Sequence, residues 1–193
     1  LMTNGAFDIT VGGILEDMGY DQTKTFIPQA NARYKRGRVE LSADEIRLEA
    51  DSHIDLGGLG KGFLVDKLRD FFQQQGIKYF LINAGGDIYA TSDWGQPVLF
   101  GLENPFNTDQ IIGTISVINQ SIASSSNSKR RWQHAGNSLH HIVDMRTGNN
   151  AAGVSAVYTV GSNCVDTDIA GTCLFMAKPD ERARIATQLN VEY

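Results

Sequence analysis

Asp168 and Thr172 stand four residues apart in an apolar stretch that reads as helix, so a carboxylate and a hydroxyl share one face. Two hard oxygens of that kind suit Mg2+ or Ca2+, and Mg2+ normally works alongside substrate phosphates. The plainer alternative is a capping or solvent-facing pair, and spacing alone does not choose. A second group is Asp55-Leu-Gly-Gly-Leu-Gly-Lys-Gly62, followed by a helical pattern, an apolar run and Asn83-Ala-Gly-Gly-Asp87. Glycine lets the backbone approach a ligand closely. Lys61 adds a cation at a helix start, where free N–H groups and the helix dipole favour an anion. We read a nucleotide-type ligand held between the two clusters. Residues 57–62 lack the spacing of a P-loop and of a dinucleotide fold, so a tight turn packing a helix on a sheet stays open as the alternative.

His140 and His141 are neighbours on an expected strand, which sends their rings to opposite faces and prevents both from binding one metal. One of them can face a ligand as donor or general base; a surface histidine is the other reading. Asp144 and Arg146-Thr-Gly148 follow in a turn whose guanidinium and backbone could meet an anion, or which is a simple hairpin turn. Ser124–Ser126 supply hydroxyls, but the chain has no Gly-x-Ser-x-Gly elbow. No Cys or His lies at zinc-finger spacing.

The elements that must position these residues follow from periodicity. A helix is expected over about residues 62–75, with Leu64, Leu68, Phe71 and Phe72 as its buried stripe and Gly76 as its C-cap. Residues 79–83 read as a short, central strand. Further strands are expected at 98–102, 111–118, 140–144 and 154–160, with polar loops at 103–110 and 124–128. A hairpin is expected around residues 42–45, and a short helix near Ile14. The last helix should run from about Val165 to Ala177, with Asp166 as its N-cap.

Composition sets the class. The chain has 193 residues, is 41% hydrophobic and 20% charged, and can bury a sizeable core in one domain. A net charge of −5 argues against a nucleic-acid partner. Cys164 and Cys173 are too few for a disulfide framework. No apolar run approaches the ~20 residues of a membrane helix.

In order along the chain, Gly-Ala-Phe-Asp8, Asp-Leu-Gly-Gly-Leu-Gly-Lys-Gly62, Asn-Ala-Gly-Gly-Asp87, His-His-Ile-Val-Asp144 with Arg-Thr-Gly148, and Asp-Ile-Ala-Gly-Thr172 resemble the ApbE family of bacterial FAD:protein FMN transferases. Each motif is weak alone; the ordered set is specific. The resemblance implies an α/β (α+β) fold, T-fold-like, with mixed or antiparallel sheets flanked by helices. It implies a single flavin-transferase domain over residues 1–193 that lacks the family's first stretch, a source of strands and of part of the flavin site. It also implies Mg2+-dependent transfer of FMN from FAD to a threonine hydroxyl of an acceptor protein, with release of AMP. The protein would work in the periplasm or otherwise outside the cytoplasm, membrane-associated through an anchor outside this segment.

By position, Asp168, Thr172 and the carbonyl of Gly60 would be metal ligands, with alanine the family's usual residue at position 60. His141 and Asp168 would be catalytic. Gly58, Lys61, Asn83, Gly85, Gly86, Asp87, Ser125, His141, Arg146 and Thr147 would line the flavin nucleotide. Ser124-Ser-Ser-Asn127 departs from the family's usual Ser-Gly-Asp, and Met145 stands where a proline is usual. Two alternatives of other classes are a non-catalytic FAD- or nucleotide-binding module and a Mg2+-dependent FAD pyrophosphatase.

Overall fold

The structure, a computed structural model, describes residues 2–29, 36–92 and 95–193. In chain order its helices and strands begin with α1 (Gly12–Asp17), β1 (Val39–Leu41), β2 (Ile46–Leu48), α2 (Gly60–Gln74), β3 (Leu81–Asn83) and β4 (Ile88–Ala90). They continue with β5 (Val98–Asn104), β6 (Asn107–Val117), β7 (Gln120–Ser126), β8 (Arg131–His134), β9 (Asn137–His140), β10 (Val143–Asp144) and β11 (Asn149–Asn150). The chain closes with β12 (Ala156–Gly161), α3 (Cys164–Met176), α4 (Pro179–Leu189) and β13 (Val191–Glu192). These form two compact units, residues 1–56 with 129–152 and residues 57–128 with 153–193. Every strand pair among the described residues is antiparallel. The fold is α+β. Among the described residues no helix is long and apolar enough to cross a membrane.

The second unit is built on a five-stranded sheet of order β13-β12-β7-β4-β3. β7 is central, pairing with β12 on one side and β4 on the other. Residues 124–126 therefore lie in a strand, not in the polar loop the serines suggested. Serine has modest strand propensity, but small side chains are what the neighbouring helix requires. A Cβ on Gly171 of α3 would come within 2.8 Å of Ser125 Oγ, so helix and strand meet small residue on small residue. β3 lies at the sheet edge, not its centre, and Leu81 is exposed there. The loop expected at 103–110 is mostly strand: β5 and β6 form a long hairpin turning at Pro105-Phe106.

α2 begins two residues earlier than expected and presents a different face. Val65 is fully buried, with Ile82, Tyr89 and Cys164, while Leu68 and Phe72 pack partly against this cluster. Leu64 and Phe71, expected in the stripe, are exposed. The true buried line runs through Gly62, Val65 and Asp66, because α2 turns that side to α3. Gly76 follows the helix at φ +74°, the left-handed conformation of a helix stop. α3 is buried on nearly every side and lacks an amphipathic stripe. Its N-cap is Asn163, whose side chain accepts from the Asp166 N–H at 2.9 Å; Asp166 lies inside the first turn. α4, which Pro179 opens at its first turn, is a further helix beyond the one expected to be last.

In the first unit, a short 3-10 turn at Ile9–Val11 leads into α1, and Asp8 caps it by accepting from Thr10 N–H and Oγ1–H, each at 2.9 Å. Three short hairpins follow: β1–β2, β8–β9 and β10–β11. Tyr20 stacks on Trp132 at 5.9 Å, and Phe26 closes on the same indole at 5.4 Å.

Candidate functional site

α3 carries Asp168 at its buried centre. A carboxylate in an apolar helix must be partnered or it is costly. Its partners come from the start of α2. Asp168 Oδ2 accepts the Gly62 N–H at 3.1 Å and lies 3.4 Å from Lys61 Nζ. Lys61 also pairs with Asp87, a buried residue just before β4. Burial depresses the Lys61 pKa, but the charge of Asp168 and the hydrogen bond and charge of Asp87 outweigh it, so the pKa lies above the usual lysine value. Lys61 is thus fixed as a cation between two carboxylates.

This changes the electrostatic expectation. The glycine-rich start of α2 reads from sequence as an anion cradle. In the structure the Gly62 N–H is taken by Asp168, and one lysine charge faces two carboxylate charges. The trio carries a net charge of −1, which attracts a cation rather than a phosphate by itself. The sheet is antiparallel as well, so the strand-end crevice of an open parallel sheet does not apply.

Thr172 lies one turn beyond Asp168 on α3, and its hydroxyl is 3.3 Å from Ser125 Oγ on β7. Gly60 opens α2 itself, beside Lys61, after the turn that contains Gly58. Asn83 Oδ1 accepts the N–H groups of Gly85 and Gly86, each at 3.0 Å, which shapes the β3–β4 turn. Both glycines have positive φ, and a Cβ on Gly86 would meet Ser124 Oγ at 3.0 Å. The second unit therefore holds Gly58, Gly60, Lys61, Asn83, Gly85, Gly86, Asp87, Ser125, Asp168 and Thr172, and direct contacts join Lys61 to both carboxylates and Ser125 to Thr172.

Among the described residues no group of three or more His, Cys, Asp or Glu side chains could hold a metal. The donor set at α3 nevertheless fits Mg2+ as that ion is commonly held, by one or two carboxylates with phosphate oxygens and water completing the shell. Asp168 would supply a carboxylate and Thr172, on the same helix, a hydroxyl; Gly60, at the start of α2, would offer a carbonyl. All three are hard oxygens.

The histidines belong to the first unit. The strand ends at His140, and His141 lies in the bend after it, so strand alternation does not orient the second ring. His140 is buried: its Nδ1 accepts from the Ile142 N–H at 3.3 Å, and its Nε2 donates to the Ala151 carbonyl at 3.1 Å. It serves the fold as a neutral imidazole. His141 is half-buried, 3.4 Å from the Arg130 carbonyl through Nδ1, with its ring 6.1 Å from that of Tyr20. Arg146 folds back on Asp144, 2.9 and 3.1 Å through Nε and 2.5 Å through Nη2, so part of its donor fork is committed locally. Those hydrogen bonds hold the Asp144 carboxyl below the usual range. Thr147 Oγ1 donates to the Asp144 carbonyl at 3.3 Å and closes the turn.

Burial holds the His140 pKa below its usual value, reinforced by the Arg131 charge and only partly offset by the Ala151 hydrogen bond. The unfolded chain then binds a proton more readily than the fold does. Stability from this residue is complete above the ordinary histidine value of about 6.5 and is lost as pH falls below it, by at most about 1.4 kcal/mol per pH unit. Thermal melts at pH 7.5 and 5.5 are expected to show a larger drop for the wild type than for His140→Gln. Equal drops would remove the residue from the acid response.

Sequence reading missed Asp66. Periodicity offered no signal for it, because a buried stripe through Leu64, Leu68, Phe71 and Phe72 leaves position 66 on the opposite face of the helix.

Comparison with known proteins agrees with this architecture. The model of the ApbE family matches residues 1–193. A FAD:protein FMN transferase of Klebsiella pneumoniae is 33% identical over 124 residues, 63% of this chain and 38% of that protein. One from Rhodobacter capsulatus is 26% identical over 201 residues, 98% of this chain and 38% of its own length. The crystal structure of the ApbE protein from Thermotoga maritima superposes with a TM-score of 0.82 at 25% identity, covering 98% of this chain and 65% of that one. The chain thus spans about two fifths of the length of these two curated relatives.

Proposed function

We infer the function from one premise: this chain belongs to the ApbE family. We propose that it carries the metal and nucleotide site of a Mg2+-dependent FAD:protein FMN transferase. The observation that supports this most directly is the buried Asp168 carboxylate, fixed by the Gly62 amide and Lys61, with the Thr172 hydroxyl on the same face. In this reading a threonine Oγ of an acceptor protein attacks the FMN-side phosphorus of FAD. The bond from that phosphorus to the bridging oxygen breaks, AMP leaves with the oxygen, and FMN remains as a phosphoester.

Asp168, Thr172 and the Gly60 carbonyl would hold Mg2+, which when bound supplies positive charge against the phosphates. Lys61, held as a cation by Asp87 and Asp168, would add positive charge beside the pyrophosphate. The β3–β4 turn, with Gly85 and Gly86, offers a surface without side chains for the nucleotide backbone. His141 would take the threonine proton; His140 is buried, with both ring nitrogens engaged by the Ile142 amide and the Ala151 carbonyl.

The test is to incubate the protein with FAD, Mg2+ and a threonine-bearing acceptor peptide, and to look for AMP together with a fluorescent peptide. AMP with free FMN and unlabelled peptide would mean hydrolysis instead, and no AMP at all would leave only binding. His141→Ala is expected to slow transfer by about 10²–10⁴-fold, the usual worth of a general base, with little change in melting temperature. His140→Ala should instead lower the melting temperature. If the two variants lost the same rate at the same stability, the base would lie elsewhere.

A further inference from the structure

We propose that Asp66 is a positioning residue that sets the rotation of α3 and thereby holds Asp168 against the start of α2. Its importance for transfer rests on the reading of Asp168 as a metal ligand; the positioning itself does not.

The argument begins with helix ends. The first N–H groups of an α-helix have no partner within the helix and need one from outside. At the start of α3, Asp66 Oδ1 accepts the Cys164 N–H and Oδ2 the Val165 N–H, each at 2.9 Å. Asn163 takes the Asp166 N–H, so the first three N–H groups are all satisfied by side chains. At the start of α2 the relation is reversed, and Asp168 of α3 accepts the Gly62 N–H. Each helix therefore caps the other. Asp66 lies four residues after Gly62 on α2, and Asp168 lies four residues after Cys164 on α3. The helices cross where Gly62 lies against the Cys164 backbone, since a Cβ there would come within 2.4 Å of its carbonyl oxygen.

Asp66 is itself held. Its side chain is buried, and Arg69 Nη1 donates to Oδ1 at 2.7 Å while its guanidinium lies 5.3 Å from the centre of the Tyr89 ring. A carboxylate fixed in this way receives two adjacent N–H groups, one per oxygen, and that defines a rotation angle. One turn along α3, the same angle directs the Asp168 carboxylate to Gly62 and Lys61. Asparagine cannot replace this: the two N–H groups are met by two different oxygens, and in asparagine one of those positions is an NH2 donor that would oppose its N–H.

The experiment measures two things on wild type, Asp66→Asn, Arg69→Gln and Ile185→Val. The last is a buried change on α4, an element that supplies no cap to either helix start. The first measurement is amide hydrogen exchange at Gly62, referenced to the Val65 amide deeper in α2, which requires no activity. Asp66→Asn is expected to raise Gly62 exchange by about tenfold, the scale of a lost helix cap. Arg69→Gln, which loosens Asp66 but keeps its carboxylate, should raise it by about threefold on the same scale; it decides the matter if Asp66→Asn does not fold. Ile185→Val should leave the ratio unchanged. The second is the Mg2+ concentration for half-maximal AMP release, expected to rise in the two α2 variants with turnover at saturating Mg2+ largely retained. An unchanged Gly62 ratio in Asp66→Asn and Arg69→Gln, or the same change in Ile185→Val, would overturn the proposal. Wild-type protein that releases no AMP would overturn the transferase reading, and the exchange ratio would still decide the role of Asp66.

Discussion

Asp168→Ala is expected to abolish Mg2+-dependent AMP release while leaving a folded protein. The loss should reach at least about 10³-fold, because a metal at a phosphoryl oxygen contributes several kcal/mol of charge stabilisation. The structural cost is smaller. The Gly62 N–H loses its acceptor, a cap worth about 1 kcal/mol, and Lys61 keeps Asp87 as a partner. Asp168→Asn separates the two effects. Its amide oxygen can still accept from Gly62, so stability should return toward wild type, but it offers no carboxylate to the metal. Turnover by AMP release and melting temperature should be read on the same samples. Full turnover in Asp168→Asn would remove the metal from this residue.

Gly62→Ala is the second large effect. Alanine is the better helix former by about 1 kcal/mol, so an isolated α2 would gain. Here a Cβ would lie 2.4 Å from the Cys164 carbonyl oxygen and 2.8 Å from both its carbonyl carbon and the Val165 Cα. All three are backbone atoms, so no side chain can swing aside and the helices must part. Overfilling of this kind typically costs about 1–3 kcal/mol. The shift would also pull apart the two capping carboxylates, so on the proposed reading AMP release should fall with stability. Urea denaturation checks the first and AMP release the second. A variant as stable as wild type would show that the crossing can widen freely.

The residue types at the site were readable from the chain. Asp168 and Thr172 at helical spacing, Lys61 after a glycine cluster, and Asn83 to Asp87 after an apolar run all announce themselves, and the ordered set carries the family resemblance. The existence and approximate extent of α2 and α3 are legible as well, because helix formers and stop signals are local properties of the sequence.

What tertiary structure alone decided is which groups answer which. The Gly62 N–H is met by Asp168, 106 residues further on, and this turns an expected phosphate cradle into a site of net negative charge. Ser124–Ser126 read as loop because their own propensity is weak; pairing with β12 makes them strand, and the small Ser125 lets Gly171 of α3 come close. Leu64 and Phe71 fit a buried stripe by type, yet α2 is turned by its crossing with α3 so that Gly62, Val65 and Asp66 face inward. His141 falls outside the strand that was to orient it. Periodicity specifies that a helix or strand has faces. Which face is buried, and which carboxylate caps which helix, depends on partners distant in sequence, and local spacing holds no information about those.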